Sequence, residues 1–230
     1  MALTAIVQQS SAPELETPPE SVWGNWKIGV VTAGYVVFCA WLSLELNVWR
    51  DEMYSLHSSE GTVAHAVRQA LGFELQPPVY FALLSVWRLL DSSVFFARLM
   101  STASGALAIV TAGAISRRLF PRVDPAWGAA LVATHPFVVW AGTEIRVYAL
   151  VLLLGAALFL AFLSAYGDTS SRWARAAFTA LAVAAIYTQY YLGVLLLCFG
   201  AALLVVRGPR RTLPFVADLG VVGLMAVPLL

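Results

Sequence analysis

Apolar runs close to twenty residues long recur along this chain, and that recurrence limits its folds more than any other feature. A helix needs about 20 apolar residues to cross a ~30 Å hydrocarbon core. Only helices and closed barrels satisfy their own backbone in that medium. Runs of this kind lie near 27–46, 94–116, 126–142, 147–166, 175–189, 191–206 and 214–230. The expectation is therefore an all-α, polytopic transmembrane protein with about seven spans. Composition agrees, since 60% of the 230 residues are hydrophobic and 12% are charged, against roughly 25% charged in soluble domains. The fifth and sixth runs are short and share Tyr187-Thr188-Gln189-Tyr190-Tyr191, an aromatic cluster suited to an interfacial turn.

Residues 1–25 are polar and rich in Pro and Glu, which reads as a disordered tail. A cleavable secretory signal starts basic and reaches its apolar stretch sooner. Ile28 to Leu46 therefore reads as an uncleaved signal anchor, opening a membrane domain over 26–230. The segment Pro77 to Leu90 is apolar but short and carries Arg88. If it lies in the interface, Arg117, Arg118, Arg122, Arg172, Arg175, Arg207, Arg210 and Arg211 fall on one side together with Lys27 and the tail. If it spans, those arginines fall opposite Lys27. The positive-inside rule selects the first arrangement, with a cytoplasmic N-terminus. Residues 47–93 then form a long external loop with interfacial helices at Thr62 to Leu71 and Pro77 to Leu90, and short turns near Gly142 to Arg146 and Gln189 to Tyr191 share its side.

The candidate chemistry lies on that side. Asp51 and Glu52 follow the first span directly, and adjacent acids there can serve as general base, metal ligand or acceptor for sugar hydroxyls. Glu144 and Arg146 open the fourth span, where charges are costly unless they snorkel, pair or serve a site. Arg98, near the outer end of the second span, reads as a phosphate ligand or a snorkelling anchor. Pro77-Pro78 fixes the start of the helix that follows, which needs no function. His57, His65 and His135 lack metal-ligand spacing, so no metal site is assigned, although a divalent metal remains compatible with the acids. Cys39 and Cys198 sit in apolar runs and read as buried free thiols. Walker A, dinucleotide and nucleophile-elbow patterns are absent from the sequence. The net charge of +1 gives no basis for a nucleic-acid partner.

Taken in order, these pieces resemble the GT-C type glycosyltransferases that use lipid-linked sugars, in the bacterial branch related to protein O-mannosyltransferases and aminoarabinose transferases. The resemblance runs over about residues 26–206. It is carried by Asp51-Glu52 with Tyr54, and by Gln76-Pro77-Pro78-Val79-Tyr80. Ala97 to Ser101, Arg117 to Phe120, Pro136-Phe137, Glu144-x-Arg146-x-Tyr148 and Tyr187 to Tyr190 complete it. Gln76 and Gln189 stand where the family often has His. The resemblance implies a polyprenyl-phosphate sugar donor, a protein, lipid or polysaccharide acceptor, and inverting displacement with Asp51 as general base. It makes Glu144 an orienting acid and Glu52, Tyr54, Gln76, Arg98, Arg146, Tyr148, Gln189 and Tyr190 substrate-binding groups. It implies an oxocarbenium-like transition state and an interfacial carboxylate whose pKa is raised by desolvation. Family members are longer, so the chain reads as truncated at Leu230. Arg-rich usage, with Lys27 the only lysine, points to a GC-rich bacterium and its plasma membrane. The competing expectations are a non-catalytic protein that binds or scaffolds lipid-linked intermediates, and a transporter, for which no internal repeat speaks.

Overall fold

A computed structural model describes residues 23–167 and 171–229, with side chains from Trp26 onward. The expected tail lies almost wholly outside the described residues. Among those residues the chain is helical with no strand. Helix α1 (Trp23–Glu45) leads into a run of short helices made of α2 (Arg50–Ser58), α3 (Val63–Gln69), a π-helical turn (Ala70–Glu74) and α4 (Val79–Trp87). There follow α5 (Val94–Leu119), α6 (Pro125–Ala133), α7 (Pro136–Thr143), α8 (Tyr148–Ala165), α9 (Arg172–Ile186), α10 (Leu192–Arg207) and α11 (Pro209–Ala226). A 3₁₀ turn, Val227–Leu229, ends the described chain.

Four helices are long and apolar enough to cross a membrane: Trp26–Glu45, Val94–Leu119, Tyr148–Ala165 and Pro209–Leu229. These mark a membrane protein and correspond to the first, second, fourth and seventh apolar runs. Their outward faces carry large apolar side chains, among them Val37 at 69% exposure on α1 and Leu224 at 72% on α11. Such a surface suits hydrocarbon rather than water. The other three expected spans do not appear as single long helices. The third run is divided between α6 and α7, because Pro136 lacks the N–H that would continue α6. It starts α7 instead, with His135 Nδ1 accepting the Phe137 amide at 3.2 Å. The fifth and sixth runs give helices of 15 and 16 residues, about 22–24 Å at 1.5 Å per residue.

Helix α5 is the hub. It packs against α1, α6, α7 and α8, while α8 also packs against α9, joining the first group of helices to a second made of α9, α10 and α11. The second group closes around stacked and edge-on rings of Phe162, Phe178, Phe199 and Phe215. In the first group Tyr35 of α1 is buried between α5 and α7 and donates to the Val138 carbonyl at 3.1 Å. Glycines make that fit possible. A Cβ on Gly105 would lie 2.1 Å from the Tyr35 hydroxyl, and one on Gly142 would lie 2.0 Å from it. The bundle's ends are pinned separately. At one end Lys27 pairs with Asp124, and Arg118 donates to Ser164 and to the Leu163 carbonyl. Arg175 grips Asp218 with two bonds of 2.8 Å, and Tyr166 donates to the same carboxylate.

The expected surface helix at Thr62 to Leu71 is α3 with its π-helical extension, and Thr62 Oγ1 caps it by accepting the His65 amide at 3.2 Å. The Pro77 to Leu90 segment yields a nine-residue helix, roughly 13 Å long and too short to cross. Of the two cysteines, Cys39 is buried and free as expected. Cys198 corrects the expectation, since it is free but exposed on α10.

Gly142→Ala should destabilise the protein by about 1–3 kcal/mol, the usual cost of overpacking. Tyr35→Phe, which removes the clashing hydroxyl, should recover part of it in the double variant. Thermal unfolding in detergent checks both; an unchanged midpoint for Gly142→Ala would refute the wedge.

Candidate functional site

At the end of the bundle opposite Lys27, the second turn of α5 opens with Arg98, 1% exposed, facing Glu52 of α2, which is fully buried. Arg98 Nε donates to Glu52 Oε1 at 2.9 Å, and Nη2 donates to Oε2 at 2.7 Å. The remaining guanidinium hydrogens reach the carbonyls of Ser43, Leu46 and Asn47 at 2.8–3.0 Å. These carbonyls stand at or beyond the last turn of α1, where a helix leaves its acceptors unsatisfied. Glu52 in turn accepts the amides of Trp49 at 3.1 Å and Ile145 at 3.0 Å. One buried pair thus joins α1, α2, α5 and the α7–α8 turn. Ser101 and Thr102 of α5 hold the same turn by donating to the carbonyls of Glu144 at 2.6 Å and Gly142 at 2.8 Å.

This frame presents a cleft of about 380 Å³ lined by Trp49, Arg50, Asp51, Trp140, Glu144, Arg146 and Tyr148. Asp51 is exposed next to buried Glu52 because successive helical residues point about 100° apart. Burial raises the pKa of Glu144 above the ordinary 4.5; the nearby Glu52 carboxylate adds to the rise, and Arg98 and Arg146 oppose it. Arg146 reaches the Asp51 carbonyl at 3.4 Å and Ser55 Oγ at 3.3 Å. It faces Glu74 at 3.8 Å, whose carboxylate also accepts from Ser58 at 2.8 Å. Tyr80 lies in a buried cluster with Ile145 and Val147. Its hydroxyl has no hydrogen-bond partner, and neither has Arg146 Nε. Burial pushes the Tyr80 pKa well above its ordinary value, which keeps the donor proton in place.

The structure therefore brings Asp51, Glu144, Arg146 and Tyr148 to one cleft. Glu52 and Arg98 lie behind it, with every guanidinium hydrogen of Arg98 directed at a protein oxygen. They hold the cleft's walls in place and do not line it. Tyr54 is half-exposed and stands edge-on to Phe73, ring centroids 5.7 Å apart, outside the cleft lining. Gln76 is partly buried, and the segment it opens is tied to the α9–α10 turn by the Val79 amide donating to the Tyr187 carbonyl at 3.0 Å. Gln189 accepts the Tyr190 amide through its own side chain at 3.0 Å, and Tyr190 is 44% exposed. That turn shares the end of the bundle with the cleft without lining it.

The reading of the sequence missed Trp49, Arg50, Glu74 and Trp140. Trp49 and Arg50 adjoin Asp51, and Trp140 lies one helical turn before Glu144, so helical periodicity was the available signal. Glu74 had none beyond being an acid in the loop, because it meets Arg146 only through the fold.

Among the described residues no group of three or more His, Cys, Asp and Glu side chains converges as a metal site. The cleft's two carboxylates are accompanied by Arg50 and Arg146, a charge balance that gives a divalent cation little net attraction. Comparison with models of known protein families, with curated proteins and with solved structures finds no match, so the functional reading rests on this geometry.

Arg98→Ala leaves Glu52 a buried, uncompensated charge and should cost roughly 3–5 kcal/mol. Joint replacement by Glu52→Leu and Arg98→Met should not restore stability, because two amides and three carbonyls lose their partners as well. Unfolding midpoints in detergent test this, and full recovery in the double variant argues against the account. For Glu144 the raised pKa sets a sign. Its proton is bound more tightly in the folded state, so its contribution is favourable below the unfolded pKa and is lost as pH rises through the folded pKa. Glu144→Gln should therefore stabilise relative to wild type at neutral pH, with the difference vanishing in acid. Melting curves across about pH 4 to 8, spanning the ordinary carboxylate range and above, check the trend.

Proposed function

We propose that this protein is a membrane glycosyltransferase that moves a sugar from a polyprenyl-phosphate donor to an acceptor at the outer face of a bacterial plasma membrane. The observation that carries the proposal is that Asp51 and Glu144, far apart in sequence, line one cleft with two arginines and three aromatic rings. Each component has a use in such a reaction. Aromatic faces pack against the C–H faces of a sugar ring. Carboxylates accept its hydroxyls, and guanidinium groups pair with a phosphate through fixed forks of donors.

The acceptor hydroxyl attacks the anomeric carbon as its proton passes to Asp51. The bond from that carbon to the donor phosphate oxygen breaks with inversion, and polyprenyl phosphate leaves with the electron pair. Arg50 and Arg146 balance the charge developing on the leaving phosphate. Glu144, whose burial favours its neutral form, orients donor or acceptor by hydrogen bonding. Glu52 and Arg98 act through position alone. The acceptor is a protein, a lipid or a polysaccharide.

The proposal includes seven crossings: the four long helices, the α6–α7 pair counted as one, and the shorter α9 and α10. Alternation then sets the arginine-bearing helix ends and Lys27 on the cytoplasmic side and the cleft on the external side. The positive-inside rule supports that orientation.

Transfer of radiolabelled sugar from a panel of polyprenyl-phosphate donors, in membranes containing this chain, tests the reading. Asp51→Asn should reduce transfer about 10²- to 10⁴-fold, the usual contribution of a general base, with donor binding largely retained. Absence of transfer from every donor, with lipid binding intact, would overturn the enzyme and leave a protein that binds or scaffolds lipid-linked intermediates.

A further inference from the structure

The cleft does not end at Glu144. Two of its lining residues, Trp140 and Tyr148, belong to a row of rings that runs along α7 toward the middle of the bundle. The Tyr148 and Trp140 rings stack with centroids 5.0 Å apart and planes 29° from parallel. Phe137, one turn further from the cleft, lies 5.4 Å from Trp140 and 6.5 Å from Tyr148. Trp140 is 44% exposed and Phe137 45%, so their outer faces meet whatever surrounds the bundle. The row stops at the break between α6 and α7, where Thr134, His135 and Pro136 are exposed. From Pro136 to Glu144 the strip is roughly 12 Å long at 1.5 Å per residue.

We propose that this strip holds the first isoprene units of the polyprenyl-phosphate donor while its phosphate sits in the cleft; the assignment rests on the glycosyltransferase reading of that cleft. Charge complementarity identifies the occupant. Arg50 and Arg146 line the cleft at the upper end of the strip and attract an anionic head group. The strip below offers apolar rings and no charged side chain between Phe137 and Thr143. A chain leaving the phosphate therefore passes from a cationic to an apolar surface without a gap, since Trp140 and Tyr148 belong to both. A methyl-branched, unsaturated chain presents flat π-bonded units to these rings, whereas a saturated acyl chain offers none. The exposed break at Thr134 to Pro136 bounds the tightly held part of the chain, and beyond it the tail lies in the bilayer. In this arrangement Phe137 and Trp140 select the lipid carrier, and the residues around Asp51 select the sugar.

The test is photolabelling of the protein in proteoliposomes by an isoprenoid phosphate bearing a benzophenone on its first isoprene unit. Labelled peptides should map to α7 at Phe137 to Trp140 or to the facing start of α8. Farnesyl phosphate should compete, and farnesol or excess phosphatidylglycerol should not. Phe137→Ala together with Trp140→Ala should lower competable labelling about tenfold, the scale of two lost ring contacts. Trp140→Phe should retain most of it, and because that variant keeps the ring it separates loss of the strip from loss of folding. Label that maps elsewhere, or is unaffected by the double substitution, overturns the proposal. Label displaced equally by phosphatidylglycerol also overturns it and identifies ordinary bilayer lipid as the occupant. The readout needs no sugar transfer: labelling without transfer retains the strip and removes the enzyme, whereas transfer with label off α7 does the reverse.

Discussion

Arg98 is a cation near the start of a membrane-length helix, where burial without a partner costs several kcal/mol. Five donors, a buried carboxylate and three carbonyls from the end of α1 resolve that cost together. The same carboxylate closes on the Ile145 amide, so the α7–α8 turn is positioned by the interaction that ends α1. Removing either charge disturbs four elements rather than one. The cleft depends on this directly, because Asp51 is displayed only where Glu52, its neighbour on α2, is drawn inward.

Adjacent acids are thus divided by environment into different tasks. Glu52 accepts four hydrogen bonds in the interior, and Asp51 is left facing open space. Glu144 lies between these extremes, with its backbone fixed by Ser101 and its carboxyl at the cleft wall. Close packing supports that placement at a distance. The Tyr35 hydroxyl fills the space that Gly105 and Gly142 leave, which sets how near α7 approaches α5 immediately before the turn that carries Glu144.

Much of this architecture was legible from periodicity and hydropathy. The apolar runs at 27–46, 94–116, 147–166 and 214–230 match membrane-length helices, and Thr62 marked the start of a helix in the loop. The run at 126–142 misled because hydropathy averages over Pro136, while the backbone breaks there for want of one N–H. The runs at 175–189 and 191–206 read as short, and they give helices of 15 and 16 residues on either side of the aromatic turn. The resemblance placed Asp51, Glu144, Arg146 and Tyr148 among the candidates, and they share a cleft. It also placed Arg98 and Glu52 there, and nothing in their local sequence distinguishes a charge that meets substrate from one that meets a buried partner.

The sequence by itself determined that the chain is helical and membrane-embedded, because apolar residues in such numbers leave no other way to satisfy the backbone. It determined which segments carry charge, and hence where chemistry is affordable. Only the tertiary structure decided which charges meet. Glu74 finds Arg146, Glu52 finds Arg98, and Val79 finds Tyr187 across separations that no local spacing encodes. Hydropathy is a property of each segment alone. Ion pairs, unpartnered donors and ring-to-ring approach depend on the relative placement of helices, which close packing sets to within an ångström.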